Sequence, residues 1–135
     1  MPLVTWNTSY SVKVAKCDED HKKLFALINS LHDAMMTGKG PQVIEKVVKD
    51  LADYTHFHFS AEERLLEQAQ YPDLPAHRAQ HRVFVNKVKQ FQQNLHITTT
   101  GQASAVVTFL KDWLTNHIMQ TDKQYSAHLN AKGIS

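Results

Sequence analysis

Four stretches of this 135-residue chain repeat apolar residues at intervals of three and four, and each places histidine or acid on the same stripe. Residues spaced this way share one face of an α-helix. The first stripe reads His21, Leu24, Phe25, Ile28, Leu31 and Met35; the second reads Ile44, Val47, Leu51, Tyr54, His58, Glu62 and Leu65. The third reads His77, His81, Phe84, Val88, Phe91 and Leu95; the fourth reads Val106, Phe109, Leu110, Trp113, Leu114, His117 and Ile118. A face turned toward a core excludes water, and a polar group left unpaired there costs roughly 2–7 kcal/mol. The buried histidines and Glu62 therefore need partners. Their position carries this argument more than their number, because a chain with nine histidines yields an HxxxH pair by chance quite readily.

Gly38, Gly40 with Pro41, Pro72 with Pro75, and Gly101 are the strongest internal breakers and separate the four stripes. Helices joined by turns this short pack against their sequence neighbours and run in opposite directions. The expected fold is all-α: an antiparallel up-down-up-down four-helix bundle over about residues 18–131, preceded by an extended N-terminal arm over about 1–17. The length suits one domain, 1–135. Acids at Asp18 to Asp20 favour the positive end of a helix and predict the first start there. Val4-Thr5-Trp6 and Ile97-Thr98-Thr99-Thr100 are too isolated to build a sheet.

The net charge of +2 comes from short pairs such as Lys22-Lys23 and Lys87/Lys89, with no basic run, so no nucleic-acid partner is expected. The single cysteine, Cys17, cannot form an intrachain disulfide; it reads as a small side chain near a helix start, in a cytoplasmic protein. The N-terminus has neither a basic n-region nor an apolar h-region, and no later stretch is apolar for long enough to form a transmembrane segment. No Ser/His/Asp arrangement or Gly-rich phosphate loop offers catalysis without a metal.

In an antiparallel bundle the end of helix two and the start of helix three share a level, which His21 and His117 can also reach. His58/Glu62 and His77/His81 lie four residues apart, so each pair can converge on one metal cluster. Donors of this type suit iron, manganese or zinc. His117 and Asp122 lie five apart, which turns about 140° on an ideal α-helix and would aim them apart; a π-type widening or irregular turn is predicted between them. His32, His56, His96 and His128 read as surface or packing residues, with His56 off the inner stripe. Glu63 reads as a solvated acid or as a hydrogen-bond partner of a ligand.

The chain resembles the hemerythrin family in Trp6, in Asp18 three residues before His21, and in the run His58-Phe59-Ser60-Ala61-Glu62-Glu63. It continues to match in Tyr71-Pro72-Asp73 leading to His77 and His81, and in His117 followed by Asp122. Members of that family are standard examples of the up-down-up-down bundle, so the resemblance implies that architecture as well. It further implies a di-iron cofactor: two iron ions bridged by Glu62, Asp122 and an oxo or hydroxo group. His77, His81 and His117 would bind one iron, His21 and His58 the other. Five histidines and three bridging groups leave one position of two octahedral irons open, on the iron with two histidines. The implied function is reversible dioxygen binding for storage, buffering or delivery, without enzymatic turnover. A donor set rich in neutral imidazole stabilises high-valent iron less than a carboxylate-rich one, so dioxygen should return intact. Leu24, Trp113, Leu114 and Ile118 are the expected walls of an apolar pocket that excludes water and protons.

Two other readings use the same irons: a module sensing oxygen, nitric oxide or redox state through a partner, and an oxidase, peroxidase or iron-handling protein. A sensor needs an output element, and none follows Asp122 in this chain, which favours the carrier. An oxygen-consuming enzyme or a redox protein is the expected macromolecular partner. Asp20 stands where relatives often carry Gln, which makes hydrogen bonding and redox tuning near His21 the least transferable part of the resemblance.

Overall fold

A computed structural model of the chain describes residues 3–38 and 41–135; Met1 and Pro2 of the arm, and Lys39 and Gly40 of the first predicted turn, lie outside the described residues. Helix α1 spans Ala15–Met36, α2 Pro41–Gln68 and α3 Leu74–Gln93. The last long helix is interrupted: α4 covers Thr100–Asn116, a π-helical segment follows over His117–Asp122, and α5 covers Lys123–Ala131. Helix α1 packs on α2 and α4, and α3 packs on α2 and α4, so the helices form a square bundle around one core. Strands are absent among the described residues, and none of the described helices is long and apolar enough to cross a membrane.

The core is the sum of the inner stripes. Leu24, Ile28 and Leu31 of α1, Val48, Leu51 and Leu66 of α2, Phe84 of α3, and Leu110, Ile118 and Leu129 of the last helix are fully buried. Each such side chain stabilises the fold by about 1.5–3 kcal/mol relative to exposure. The inner line of α2 runs through Val48, Leu51, Thr55, His58, Phe59, Glu62 and Leu66, while Ile44, Val47, Tyr54 and Leu65 are only partly buried beside it. On α4 the inner line runs through Val107, Leu110 and Leu114, with Val106 partly buried beside it; Phe109, expected on the stripe, is exposed, with Lys87 over its ring. Met35 and Leu95 pack at the margin of the core, and Leu95 lies beyond the end of α3 in a 3-10 turn, Leu95–Ile97.

Helix α1 starts at Ala15, ahead of the expected Asp18, and its N-cap Val14 supplies no side-chain cap. Asp18 does not cap the helix; its carboxylate reaches back to the arm, accepting from the Val12 N–H at 2.9 Å and the Ser11 hydroxyl at 2.6 Å. Farther out, Val4 and the Asn29 amide exchange two hydrogen bonds of 3.0 and 2.7 Å, which lay the arm along α1. Gly101 does not break α4 but sits in its first turn, because Thr99 and Gln102 form a capping box that sets the start one residue earlier. Pro75 occupies the first turn of α3, where its missing N–H costs nothing.

Candidate metal centre

The bundle brings all seven predicted donors to one level inside the core. His21 lies in the second turn of α1, His58 and Glu62 late in α2, His77 and His81 in the first turns of α3, and His117 and Asp122 at the two ends of the π-helical segment. All seven are at most 4% exposed. The predicted widening between His117 and Asp122 is present, and it turns both side chains inward despite their five-residue spacing.

Two carboxylates form the middle of the cluster. Glu62 Oε1 lies 2.7 Å from His77 Nε2 and 3.1 Å from His81 Nε2; Glu62 Oε2 lies 3.2 Å from His58 Nε2 and 3.5 Å from His21 Nε2. Asp122 Oδ1 lies 2.9 Å from His117 Nε2 and 3.1 Å from His77 Nε2, while Oδ2 lies 3.2 Å from His21 Nε2. The donors fall into two overlapping groups: Glu62, His77, His81, His117 and Asp122, and His21, His58 and Glu62. Every imidazole presents Nε2.

Outside the cluster, three of the rings are held by Nδ1. His58 Nδ1–H donates to Asp20 at 2.9 Å, His81 Nδ1–H to Glu63 at 2.9 Å, and His117 Nδ1–H to the Gln80 carbonyl at 2.9 Å. These partners fix the tautomer, so in the neutral ring Nε2 carries a bare lone pair. The same Gln80 oxygen accepts from Thr121 at 2.9 Å and so ties α3 to both ends of the π-helical turn. Tyr125, fully buried on α5, donates its hydroxyl to Glu62 Oε2 at 3.0 Å. Phe59 stacks face to face on His81 with ring centres 3.8 Å apart, and Trp113 stacks on His117 at 4.5 Å.

The residues present fit a metal. His58, His81 and His117 Nε2 and Asp122 Oδ1 are buried atoms without a hydrogen-bond partner. Lone pairs facing carboxylate oxygens at these distances repel unless cations stand between them, and nitrogen with oxygen donors is the set that divalent transition metals take. Without metal, protons must do this work. Burial depresses His21, but Asp122 and Glu62 outweigh it and raise the ring to about 10; the same balance raises His77 to about 9. Burial pushes Glu62 up, yet the imidazoles of His21 and His58 hold it well below the usual carboxylate range. Burial and Glu62 also push Asp122 up, and His117 and His21 more than reverse them.

The expected pocket residues are neighbours of the donors along their helices. Leu24 sits one turn after His21, Leu114 one turn before His117, and Ile118 beside it, all buried. Trp113 is partly exposed and packs on His117, Phe59 and Phe84, on the side of the three-histidine group. Asp20, the residue that departs from the family pattern beside His21 in sequence, bonds His58. His56 and His96 are exposed, and His128 lies at a helix–loop contact with the Ala69 carbonyl. Cys17 is buried near Glu62 and Tyr125, and burial together with the Glu62 charge pushes its thiol far up.

Sequence reasoning missed Tyr125, Gln80 and the stacking role of Phe59. Tyr125 could have been found, since it lies three residues after Asp122 on the same helix face. Gln80 carried no signal, because it belongs to the site only through contacts with another helix.

The family profile of the hemerythrin HHE cation binding domain matches residues 12–129. The chain is 34% identical over 132 residues to a bacteriohemerythrin of Methylococcus capsulatus, covering 97% of this chain and 100% of that protein. It is 36% identical over 124 residues to a hemerythrin-like protein of Naegleria gruberi, covering 92% of each. A wild-type hemerythrin crystal structure superimposes with a TM-score of 0.85 at 34% identity, covering 94% of this chain and 98% of that one. With the helix order, the buried donor cluster and these likenesses in agreement, the chain belongs to the hemerythrin family.

Proposed function

We propose that this chain, as a single hemerythrin-like domain over 1–135, binds dioxygen reversibly at a non-haem di-iron centre and stores, buffers or delivers it in the cytoplasm. The observation that supports this most is the convergence of five buried Nε2 atoms on two carboxylates, split unequally into a three-histidine and a two-histidine group around Glu62. His77, His81 and His117 would hold one iron, His21 and His58 the other, with Glu62 and Asp122 shared. The chemistry supplied by the bound pair is reversible two-electron transfer to dioxygen.

The chain's own residues keep that chemistry reversible. Asp20, Glu63 and Gln80 hold the Nδ1 protons of three ligands away from the centre, so those imidazoles face it with lone pairs only. The Tyr125 hydroxyl fixes one oxygen of Glu62. Its proton is no ready acid, since burial and the charges of Glu62 and Asp122 raise it well above the ordinary phenol range. Leu24, Leu114 and Ile118, buried next to His21 and His117 along their helices, would keep water from the centre, which slows loss of bound oxygen as a reduced product.

The test is to load the protein anaerobically with Fe(II), count iron per chain, and follow the visible spectrum through cycles of air and deoxygenation. Two irons per chain and an absorption band that appears in air and vanishes without it are expected. Irreversible oxidation on first exposure would replace this reading with oxidase or iron-handling chemistry, and failure to bind iron would remove the centre altogether.

A further inference from the structure

Asp20 is a carboxylate buried among helices, 4% exposed, and both of its oxygens are engaged. Oδ2 accepts from His58 Nδ1 at 2.9 Å, while Oδ1 accepts from the Lys16 ammonium at 2.7 Å and from the Tyr54 hydroxyl at 2.8 Å. Lys16 is about half exposed, so a continuous hydrogen-bonded line runs from solvent through Asp20 to a ring of the two-histidine group. The five rings are not treated alike. His81 also has a carboxylate, but Glu63 is less buried and is shared with the Arg78 guanidinium at 3.2 Å. His117 has a neutral amide, and Nδ1 of His21 and His77 has no partner among the described residues.

We infer that Asp20 is a positioning residue that sets the reduction potential of the two-histidine half of the centre through His58, and that Lys16 at the surface attenuates it. The inference rests on the di-iron reading above. A carboxylate holding the far proton of an imidazole increases the ring's donation toward a metal, which favours the more highly charged oxidation state. Lys16 bonds the same carboxylate and withdraws part of that charge. Two residues on one line should therefore act on the metal with opposite sign.

The test is spectroelectrochemical titration of the iron-loaded protein, with iron counted in every sample. Asp20→Asn keeps an oxygen to accept from His58 but removes the charge. It should weaken binding of the oxidised ion relative to the reduced one by about 10–100-fold, an upward shift of about 60–120 mV at 59 mV per decade. Lys16→Met should lower the potential, and should have no effect once Asp20 is Asn, because the line is then cut. Lys22→Met, on a lysine bonded to Glu19 instead, should leave the potential where it was. In the metal-free protein, the His58 Nδ1 proton should resonate downfield in the parent and move upfield in Asp20→Asn.

A merely structural role would not produce shifts of opposite sign. If two irons bind and Asp20→Asn leaves the potential unmoved, or Lys16→Met acts equally in both backgrounds, this inference falls while the function stands. If the parent protein takes up no iron, both fall. Should Asp20→Asn fail to fold, Lys16→Met and Tyr54→Phe carry the test. Each removes a donor to Oδ1 and should lower the potential, and no shift in either would overturn the role of Asp20.

Discussion

Loading the centre with metal should expel the protons that hold the empty cluster together. Glu62 and Asp122 are buried anions at the middle of the cluster, and both stay ionised far into acid. Two buried negative charges require two positive ones nearby, since an uncompensated charge in a low-dielectric interior is expensive. In the metal-free protein the cluster imidazoles supply them: His21 and His77 are raised to about 10 and about 9, and Asp20, Glu62 and Glu63 raise His58 and His81 as well. At pH 7.5 the His21 and His77 rings should be almost fully protonated, and metal can bind their Nε2 only by displacing those protons. At least roughly two protons should leave per chain, against about half a proton from five imidazoles of ordinary pKa.

Below pH 9 the overall affinity for two ions should then rise by at least about 100-fold per pH unit. The metal-free fold responds in the opposite direction. Because both folded-state values lie above the ordinary one, their contribution to stability is complete below about pH 6.5 and is lost as pH climbs through 9 to 10. Anaerobic Fe(II) calorimetry in buffers of different ionisation enthalpy reads the proton count directly. Release of less than one proton, or an affinity flat between pH 6 and 8, would show that the carboxylates are not neutralised by these rings.

Three further outcomes are expected. Tyr125→Phe removes the hydroxyl that donates to the buried Glu62 carboxylate, and should cost about 1.5–3 kcal/mol in urea denaturation of the metal-free protein; an unchanged midpoint would mean that this hydrogen bond contributes nothing. Gln80→Leu takes the acceptor from both His117 and Thr121 and should weaken metal binding by about 10–100-fold, read by competition with a chelator, with the larger loss in the three-histidine group. Thr99→Ala breaks the capping box of α4 far from the centre. It should lower stability by about 1 kcal/mol and leave metal stoichiometry at the parent value.

Much of the bundle was legible because each helix writes its buried face into a local period, and because Gly and Pro mark the breaks. The stripe His77, His81, Phe84, Val88, Phe91 needs nothing beyond its own spacing. The π-helical turn was legible for a negative reason: two inward polar residues five apart cannot share a face of an α-helix. What local pattern could not decide is which of two adjacent apolar lines faces inward. On α2, Ile44 and Val47 compete with Val48, and only the neighbouring helices settle it. Charge was ambiguous for the same reason. Asp18 looks like a helix-start acid, yet it tethers the arm, and Asp20 looks like a companion of His21, yet it belongs to His58. The bonds that aim His58, His81 and His117 join different helices, so no window along the chain contains them.

The π-helical turn also bears on how this helix can be shortened or aligned. An α-helix with one residue fewer between His117 and Asp122 would place the two four apart, already on one face. Tyr125 and Leu129, both fully buried, follow Asp122 by three and seven residues and would keep their inward phase. The chain thus carries one residue of slack at its donor cluster, beside the exposed Met119. Deleting that residue should leave the fold's phasing intact and give a straighter helix. Any change in metal affinity that followed would then measure what the widened turn itself contributes.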